Sequence, residues 1–345
     1  MNAPLVVGVD AGATTTRCVV ATVDGAIVAR GQAGGANQRS SGGSPSEALA
    51  AALHLAGTGG KAPQIALGVV GAAGAGAAGR ATAQEAAERA WQEVGLAGRV
   101  ELATDLEVAF AAGTPSGDGL LLLAGTGAAA VAFHGGLVRH RCDGYGWLLG
   151  DEGSAVWLGR EALLAVLAAI DGRGSPTTLT AAVTGNLLGT APAPTVLDDP
   201  DAHAQALIGA AYAQPPASLG HLAPLVSAAA LAGDGVAKAL VARAAGRLLH
   251  SLTAVNERRV TLLSENEVKG HPPNIVLAGS VLLSPGPVAD LVRAGVRERF
   301  GAEPLEARDG AAGAAALAIA RLTGRQIPAK IHARLTDTGP ATITS

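Results

Sequence analysis

The chain has 345 residues, enough for about two domains at roughly 150 residues each; 49% are apolar, 2% aromatic, and the net charge is −3. A near-neutral chain without long charge runs and with few rings lacks the basic, aromatic face of a nucleic-acid binder. It also lacks a stretch of about 18 uncharged apolar residues, a basic leader region and, with only Cys18 and Cys142, any metal-type cysteine spacing, so the expected setting is cytoplasmic with no membrane partner.

Residues 5–31 read as a three-stranded meander: an apolar strand, the turn from Asp10 to Thr16, a second strand, the tight turn Asp24-Gly25 and a third strand. A polar, glycine-rich loop follows at 34–45, and then a helix from Ser46, the predicted N-cap, to about Ala56. Gln64–Val70 reads as a buried strand, 71–79 as a glycine-rich segment, and Arg80–Val94 as a helix stopped by Gly95. Val100–Thr104 is a short strand, with a helix opening at Asp105. A break at Gly113–Gly119 precedes a second meander, 119–141, built like the first, with Ala124-Gly125-Thr126-Gly127 as its first turn and Gly135-Gly136 as its second. The loop from Asp143 to Ser154 leads into a long helical region reaching about Val255, interrupted by a Gly/Pro-rich stretch at 185–202. A late strand starts at Asn274 and is followed by Gly279-Ser280; helices are expected over Pro287–Phe300 and Gly310–Leu322, and the tail from Arg325 as loosely held. The order βββαβα, met twice, predicts an α/β protein with a duplicated core, divided into 1–112 and 113–345, with the helix 310–322 returning to the first part.

The two Gly/Thr turns suggest a phosphate clamp. Gly12, Ala13, Thr14 and Thr15 in the first, and Gly125, Thr126 and Gly127 in the second, offer close backbone N–H groups and hydroxyls to phosphate oxygens. Asp10, at a strand end, suits a magnesium ion held through water; the bland alternative is a hairpin turn with an Asx bond. Asp105, where a strand meets a helix, is placed to take a proton from a substrate hydroxyl, or else to cap the helix. The loop Asp143-Gly144-Tyr145-Gly146-Trp147-Leu148-Leu149-Gly150-Asp151-Glu152-Gly153-Ser154 mixes glycines, rings and carboxylates as a sugar site does, or as a surface turn feeding a helix N-terminus would. Gly74, Gly76 and Gly79 match the dinucleotide spacing G-x-G-x-x-G after a strand, with Glu101 about 20 residues on, which keeps an NAD-dependent oxidoreductase in view but leaves the duplicated turns unexplained.

The segments VGVDAGATTTR, GGANQ, ATD, LLAGTG, GYGWLLGDEGSAVWLG and VLAGS, in that order over residues 5–322, resemble the N-acetylglucosamine kinase family and the broader BadF/BadG-type ATPases of the actin-like sugar kinase superfamily. The resemblance implies a two-lobe actin-like (ribonuclease H-like) fold and a kinase using ATP and magnesium. It implies that Asp10, Gly12, Thr14 and the turn Gly125-Thr126-Gly127 hold phosphates and metal, and that Gly279 and Ser280 border the adenosine. Asn37, Asp105, Gly144, Tyr145 and Asp151 would contact the sugar, with Asp105 as base, and a homodimer is expected. Relatives that bind the acetylated sugar often carry tryptophan at the position of Tyr145 and glycine at that of Asp143. An extra carboxylate at Asp143 pairs with a free ammonium or stabilises a turn. The family's iron–sulfur activators need a cysteine pair, and that role is discounted. The expected reaction is phosphorylation of an amino sugar at its 6-hydroxyl, glucosamine first, then N-acetylglucosamine or glucose. A sugar sensor without turnover is the remaining alternative.

Overall fold

The computed structural model describes residues 4–12, 15–36, 44–58, 64–72, 79–189, 199–262 and 272–337. Apolar alternation and continuous Val/Leu runs produce two five-stranded sheets. The first contains β1 (Leu5–Ala11), β2 (Thr15–Thr22), β3 (Ile27–Gly34), β4 (Ile65–Ala72) and β5 (Arg99–Thr104) in the order β3-β2-β1-β4-β5. The meander pairs antiparallel, while β1, β4 and β5 run parallel. The second contains β6 (Gly119–Ala124), β7 (Ala128–His134), β8 (Leu137–Asp143), β9 (Ile275–Ala278) and β10 (Leu305–Glu306) in the order β10-β9-β6-β7-β8. Read from the other edge, this is the same order, so the duplication seen in the two meanders is a duplication of topology.

The turns obey the residue types that fill them. Gly25 has φ +86°, and Gly135 and Gly136 have φ +62° and +74°, the left-handed backbone that tight hairpins need. In the first sheet, α1 (Pro45–Leu55) and α2 (Arg80–Glu93) cover one face, burying Leu49, Leu53 and Trp91 against Val7, Val9 and Cys18. Ser44 and Pro45 start α1, two residues before the expected cap. The other face is covered by α11 (Gly310–Thr323), whose alanines pack on Val6, Val19 and Leu67 beside α3 (Asp105–Gly113). An alanine removes little apolar area, so this contact depends on close backbone approach. A Cβ at Gly8 would sit 2.2 Å from the Ala315 nitrogen.

Between β8 and β9 the chain inserts α4 (Ala155–Ile170), α5 (Leu179–Leu188), α6 (Pro200–Tyr212), α7 (Ala223–Leu231) and α8 (Gly235–Leu262), a helical core around Leu158, Leu207, Val226 and Leu252. Short α9 (Ser280–Leu283) and α10 (Pro287–Phe300) follow β9. Contacts divide the chain into one unit of 1–119, 133–138 and 305–345, and another of 120–132 and 139–304. Helix α11 thus belongs to the first unit. Over residues 325–337 the chain is held down and is not loose as its polarity suggests. Residues 329–336 form α12 (Ala329–Thr336), with Leu335 fully buried, the His332 Nε2 at 2.8 Å from the Ala111 carbonyl, and Arg334 paired with Asp24. Among the described residues no single helix is long and apolar enough to cross a membrane.

Candidate functional site

In the first unit the parallel strands β1, β4 and β5 end together. Asp10 pairs in register with Gly71, and Gly71 with Ala103, so Asp105 lies just past the end of β5. With strands about 4.8 Å apart and one strand between them, the two aspartate positions are on the order of 10 Å apart at the carboxyl edge, where α/β sheets keep their chemistry. The register places Arg17 of β2 directly across from Asp10. Burial pushes the Asp10 carboxyl up to about 6; Arg17 lowers it, while Asp105 and then Asp309 raise it. Asp309 was not foreseen. It caps α11, accepting from the Ala312 N–H at 3.0 Å, and pairs with Arg30 at 2.6 Å. The next residue, Gly310, lies so close that a Cβ there would meet the Asp10 carboxylate at 2.3 Å. The sequence signal was present, since an Asp-Gly pair opening an alanine-rich helix is a cap signature.

Thr104 caps α3. Its hydroxyl accepts from the Glu107 N–H at 3.2 Å, and the Glu107 carboxylate accepts from the Thr104 N–H at 2.7 Å, a reciprocal capping box. Asp105 is therefore not the cap. In the adjoining turn the Gly12 N–H donates to the Thr15 carbonyl at 3.0 Å, and a Cβ at Gly12 would meet that carbonyl oxygen at 2.9 Å. Ala13, Thr14 and Asn37, and the Gly74 and Gly76 of the dinucleotide reading, lie outside the described residues.

In the second unit the Gly125 N–H donates to the Gly127 carbonyl at 2.8 Å. Gly279, at φ +87°, approaches so closely that a Cβ would meet the Ala124 carbonyl oxygen at 2.3 Å and the Gly125 nitrogen at 2.8 Å. The turn Gly125-Thr126-Gly127 and the pair Gly279-Ser280 are thus neighbours. The acidic loop also reaches this turn. Ser154 caps α4 through the Trp157 N–H, and the Ala155 N–H donates to the Gly125 carbonyl at 2.8 Å. Glu152 pairs with Arg247 of α8 at 3.6 Å.

Asp143 is 8% exposed, with φ +64°, a backbone aspartate tolerates. One carboxylate oxygen accepts from the Gly144 and Asp151 N–H groups, both at 2.7 Å, and the other from Glu152 at 2.8 Å. These three bonds describe the turn-stabilising alternative for this carboxylate. The Gly144 N–H is spent on the same carboxylate, and Gly150 has no room for a Cβ beside it. Asp151 faces the Gly125–Gly127 turn, while Tyr145, Trp147, Leu148 and Leu149 stand exposed on the loop.

Among the described residues no three His, Cys, Asp or Glu side chains form a metal cluster. Asp10, at its strand end, is a carboxylate of the kind that would hold a magnesium ion that keeps most of its waters. A duplicated βββαβα core with glycine turns at both inner strands defines the actin-like ATPase class of fold. The chain belongs to the BadF/BadG/BcrA/BcrD ATPase family, whose model matches residues 7–318. It is similar to an N-acetylmuramic acid/N-acetylglucosamine kinase of Clostridium acetobutylicum, 26% identical over 180 residues, which span 50% of this chain and 57% of that relative. A solved structure from Chromobacterium violaceum, assigned as an N-acetylglucosamine kinase, is 27% identical with a TM-score of 0.66, covering 92% of this chain and 99% of that one. A glucokinase of the ROK family from Streptomyces griseus, solved with glucose and AMPPNP, shares the fold at 19% identity and a TM-score of 0.51, covering 91% of this chain and 99% of that one.

Proposed function

We propose that the chain is an ATP-dependent sugar kinase transferring a phosphoryl group to the 6-hydroxyl of an amino sugar. The observation that carries this is the pair Asp10 and Asp105 at the carboxyl edge of one sheet, with Thr104 rather than Asp105 capping the helix. Asp105 accepts the proton of the sugar hydroxyl as its oxygen attacks the terminal phosphorus. Asp10 anchors the magnesium ion, which when bound neutralises charge on the phosphates. In the second unit the Gly125–Gly127 turn presents N–H groups to the phosphate chain, and Gly279-Ser280 lies along the nucleoside; the Gly12–Thr15 turn of the first unit is an anion-type turn of the same kind. Tyr145 covers a sugar face. Glycine turns at helix and strand ends hold such anions without a dedicated side-chain charge.

With the Asp143 carboxylate committed to its own loop, the argument for a free amine falls away. The reading then favours the acetamido sugar named for the similar kinases, N-acetylglucosamine, ahead of glucosamine and glucose. Assembly as a homodimer in the cytoplasm belongs to the same reading. An assay of ADP release with N-acetylglucosamine, glucosamine and glucose tests it. Sugar-dependent release, fastest with N-acetylglucosamine, is expected. No sugar-dependent release would leave the sensor reading instead.

A further inference from the structure

A cavity of about 460 Å³ lies within the first unit, where the last turns of α3 and α11 meet the hairpin turn Gly135-Gly136. Small-molecule sites fall in the range of about 300–1,000 Å³. Helix α11 opens at Gly310 beside Asp10 and ends at this cavity, about 20 Å along its axis at about 1.5 Å per residue. The floor is apolar. Phe110 and Phe133 stack with ring centroids 4.2 Å apart, and Leu317 and Ile327 complete the wall. Two cross-links hold the rim. The Gly136 N–H donates to the Gly117 carbonyl at 2.9 Å, and the Gln326 Nε2 donates to the Pro115 carbonyl at 3.0 Å. The cavity is therefore shaped before anything enters it.

Its charged lining is committed, with one exception. The Glu107 carboxylate accepts from the Thr104 N–H at 2.7 Å and from the Thr104 hydroxyl at 2.9 Å. Asp118 accepts from the Gly135 N–H at 2.9 Å and pairs with His134 at 2.8 Å. Arg321 donates to the Leu102 carbonyl at 3.1 Å and pairs with Glu101 at 3.3 Å. Arg325 follows the helix stop at Gly324 and is exposed, and its guanidinium has no partner among the described residues. An apolar hollow with a spare cation and no spare anion suits a hydrocarbon body bearing one carboxylate, which a guanidinium can take with two parallel hydrogen bonds. Bare phosphate would leave the floor uncovered, and an amine would meet a like charge. We propose that this cavity is a second ligand site, for a small amphipathic carboxylate held by Arg325 and by the wall of Leu317 and Ile327. The site goes beyond the kinase reading and does not depend on it.

The test is an NMR titration of the full, isotope-labelled chain with octanoate, and with octanol as the uncharged counterpart. Octanoate should bind with a Kd on the order of 1 mM, ordinary for a ligand of about ten heavy atoms. It should shift the Ala111 and Leu317 amides. Octanol should bind about 5-fold more weakly, and Arg325→Gln should weaken octanoate by about the same factor while leaving octanol unchanged, as for one exposed ion pair. Ala320→Leu fills the cavity from a half-buried position without touching the charge. It should weaken both probes by at least about 10-fold, since the added side chain takes the space of the hydrocarbon body. Arg325 is exposed, so Arg325→Gln remains a folded test whatever becomes of Ala320→Leu. Octanoate binding unchanged in either variant, shifts centred elsewhere on the chain, or no octanoate binding overturns the proposal.

Discussion

The first strands of the two sheets, β1 and β6, can be laid side by side residue for residue. Val6–Ala11 and Gly119–Ala124 have the same burial pattern, four buried positions, one half-buried and one buried. The half-buried position is Asp10 in the first strand and Leu123 in the second. The third position of each run is Gly8 in the first and Leu121 in the second. Topology was duplicated, but chemistry was not. Both strands lead into a glycine turn, yet only the first keeps a carboxylate beneath it, and only the first makes room for an alanine-rich helix. The second strand spends its apolar side chains on the core, and its turn is instead backed by Asp151 from a loop. A shared backbone plan thus supplies two anion-type turns, while single residues decide what else each one does.

The largest expected effect that sharpens this contrast is at the carboxyl edge of the first sheet. Asp105→Asn should lower kcat by a factor on the order of 10²–10⁴ with sugar KM little changed, as expected on removal of a general base. An active variant in the ADP-release assay would remove Asp105 from that role. Next is Gly8→Ala, where a Cβ would meet the Ala315 backbone at 2.2 Å. Overpacking of this kind should cost about 3 kcal/mol in denaturant unfolding. Leu121→Ala in the matching place should cost a similar amount for the opposite reason, a cavity. A harmless Gly8→Ala would contradict the close approach of α11.

Asp10 gives a pH signature that Leu123 cannot. Burial holds its carboxyl up at about 6 against an ordinary 3.8. Because the folded value is the higher one, the protonated side chain's contribution to stability is complete below pH 4 and is lost as pH rises through 6. Asp10→Asn should therefore gain on the order of 2 kcal/mol over wild type at pH 7–8, while differing little near pH 4. The same variant should lose magnesium-dependent turnover. Equal stability differences at both pH values would contradict the burial of Asp10. The smallest effect is at Thr16, whose fully buried hydroxyl has no hydrogen-bond partner among the described residues. Thr16→Val should be neutral or stabilising by about 1 kcal/mol, read from the midpoint of urea unfolding.

The meanders, their turns and the helices were legible because apolar periodicity and Gly placement are local signals. Hairpin glycines announced themselves, and the helix stop at Gly95 did too, with φ +77°. Contacts far apart in sequence were not legible. Nothing near residue 143 says that its carboxylate collects N–H groups from residues eight and nine positions on as well as from its neighbour Gly144, so its part in ordering the loop was not legible. Asp309 reads locally as a cap, and its place beside Asp10 depends on a helix returning across about 300 residues. The tail misled because α12 has only a narrow apolar stripe, Ile331 and Leu335, in a polar segment. Asp105 shows the converse: the cap reading was reasonable for any aspartate at a helix start, and only the Thr104–Glu107 box reassigns that duty.

The central claim is that the Gly125–Gly127 turn is a phosphate-binding turn and that Asp105 is the base toward a sugar hydroxyl. A crystal structure of the chain with AMPPNP, magnesium and N-acetylglucosamine tests it most directly. The account predicts phosphate oxygens within hydrogen-bond distance of backbone N–H groups in the Gly125–Gly127 turn, and the sugar 6-hydroxyl on Asp105. A nucleotide seated at the 74–79 glycines, or a sugar hydroxyl other than the 6-position on Asp105, would contradict it.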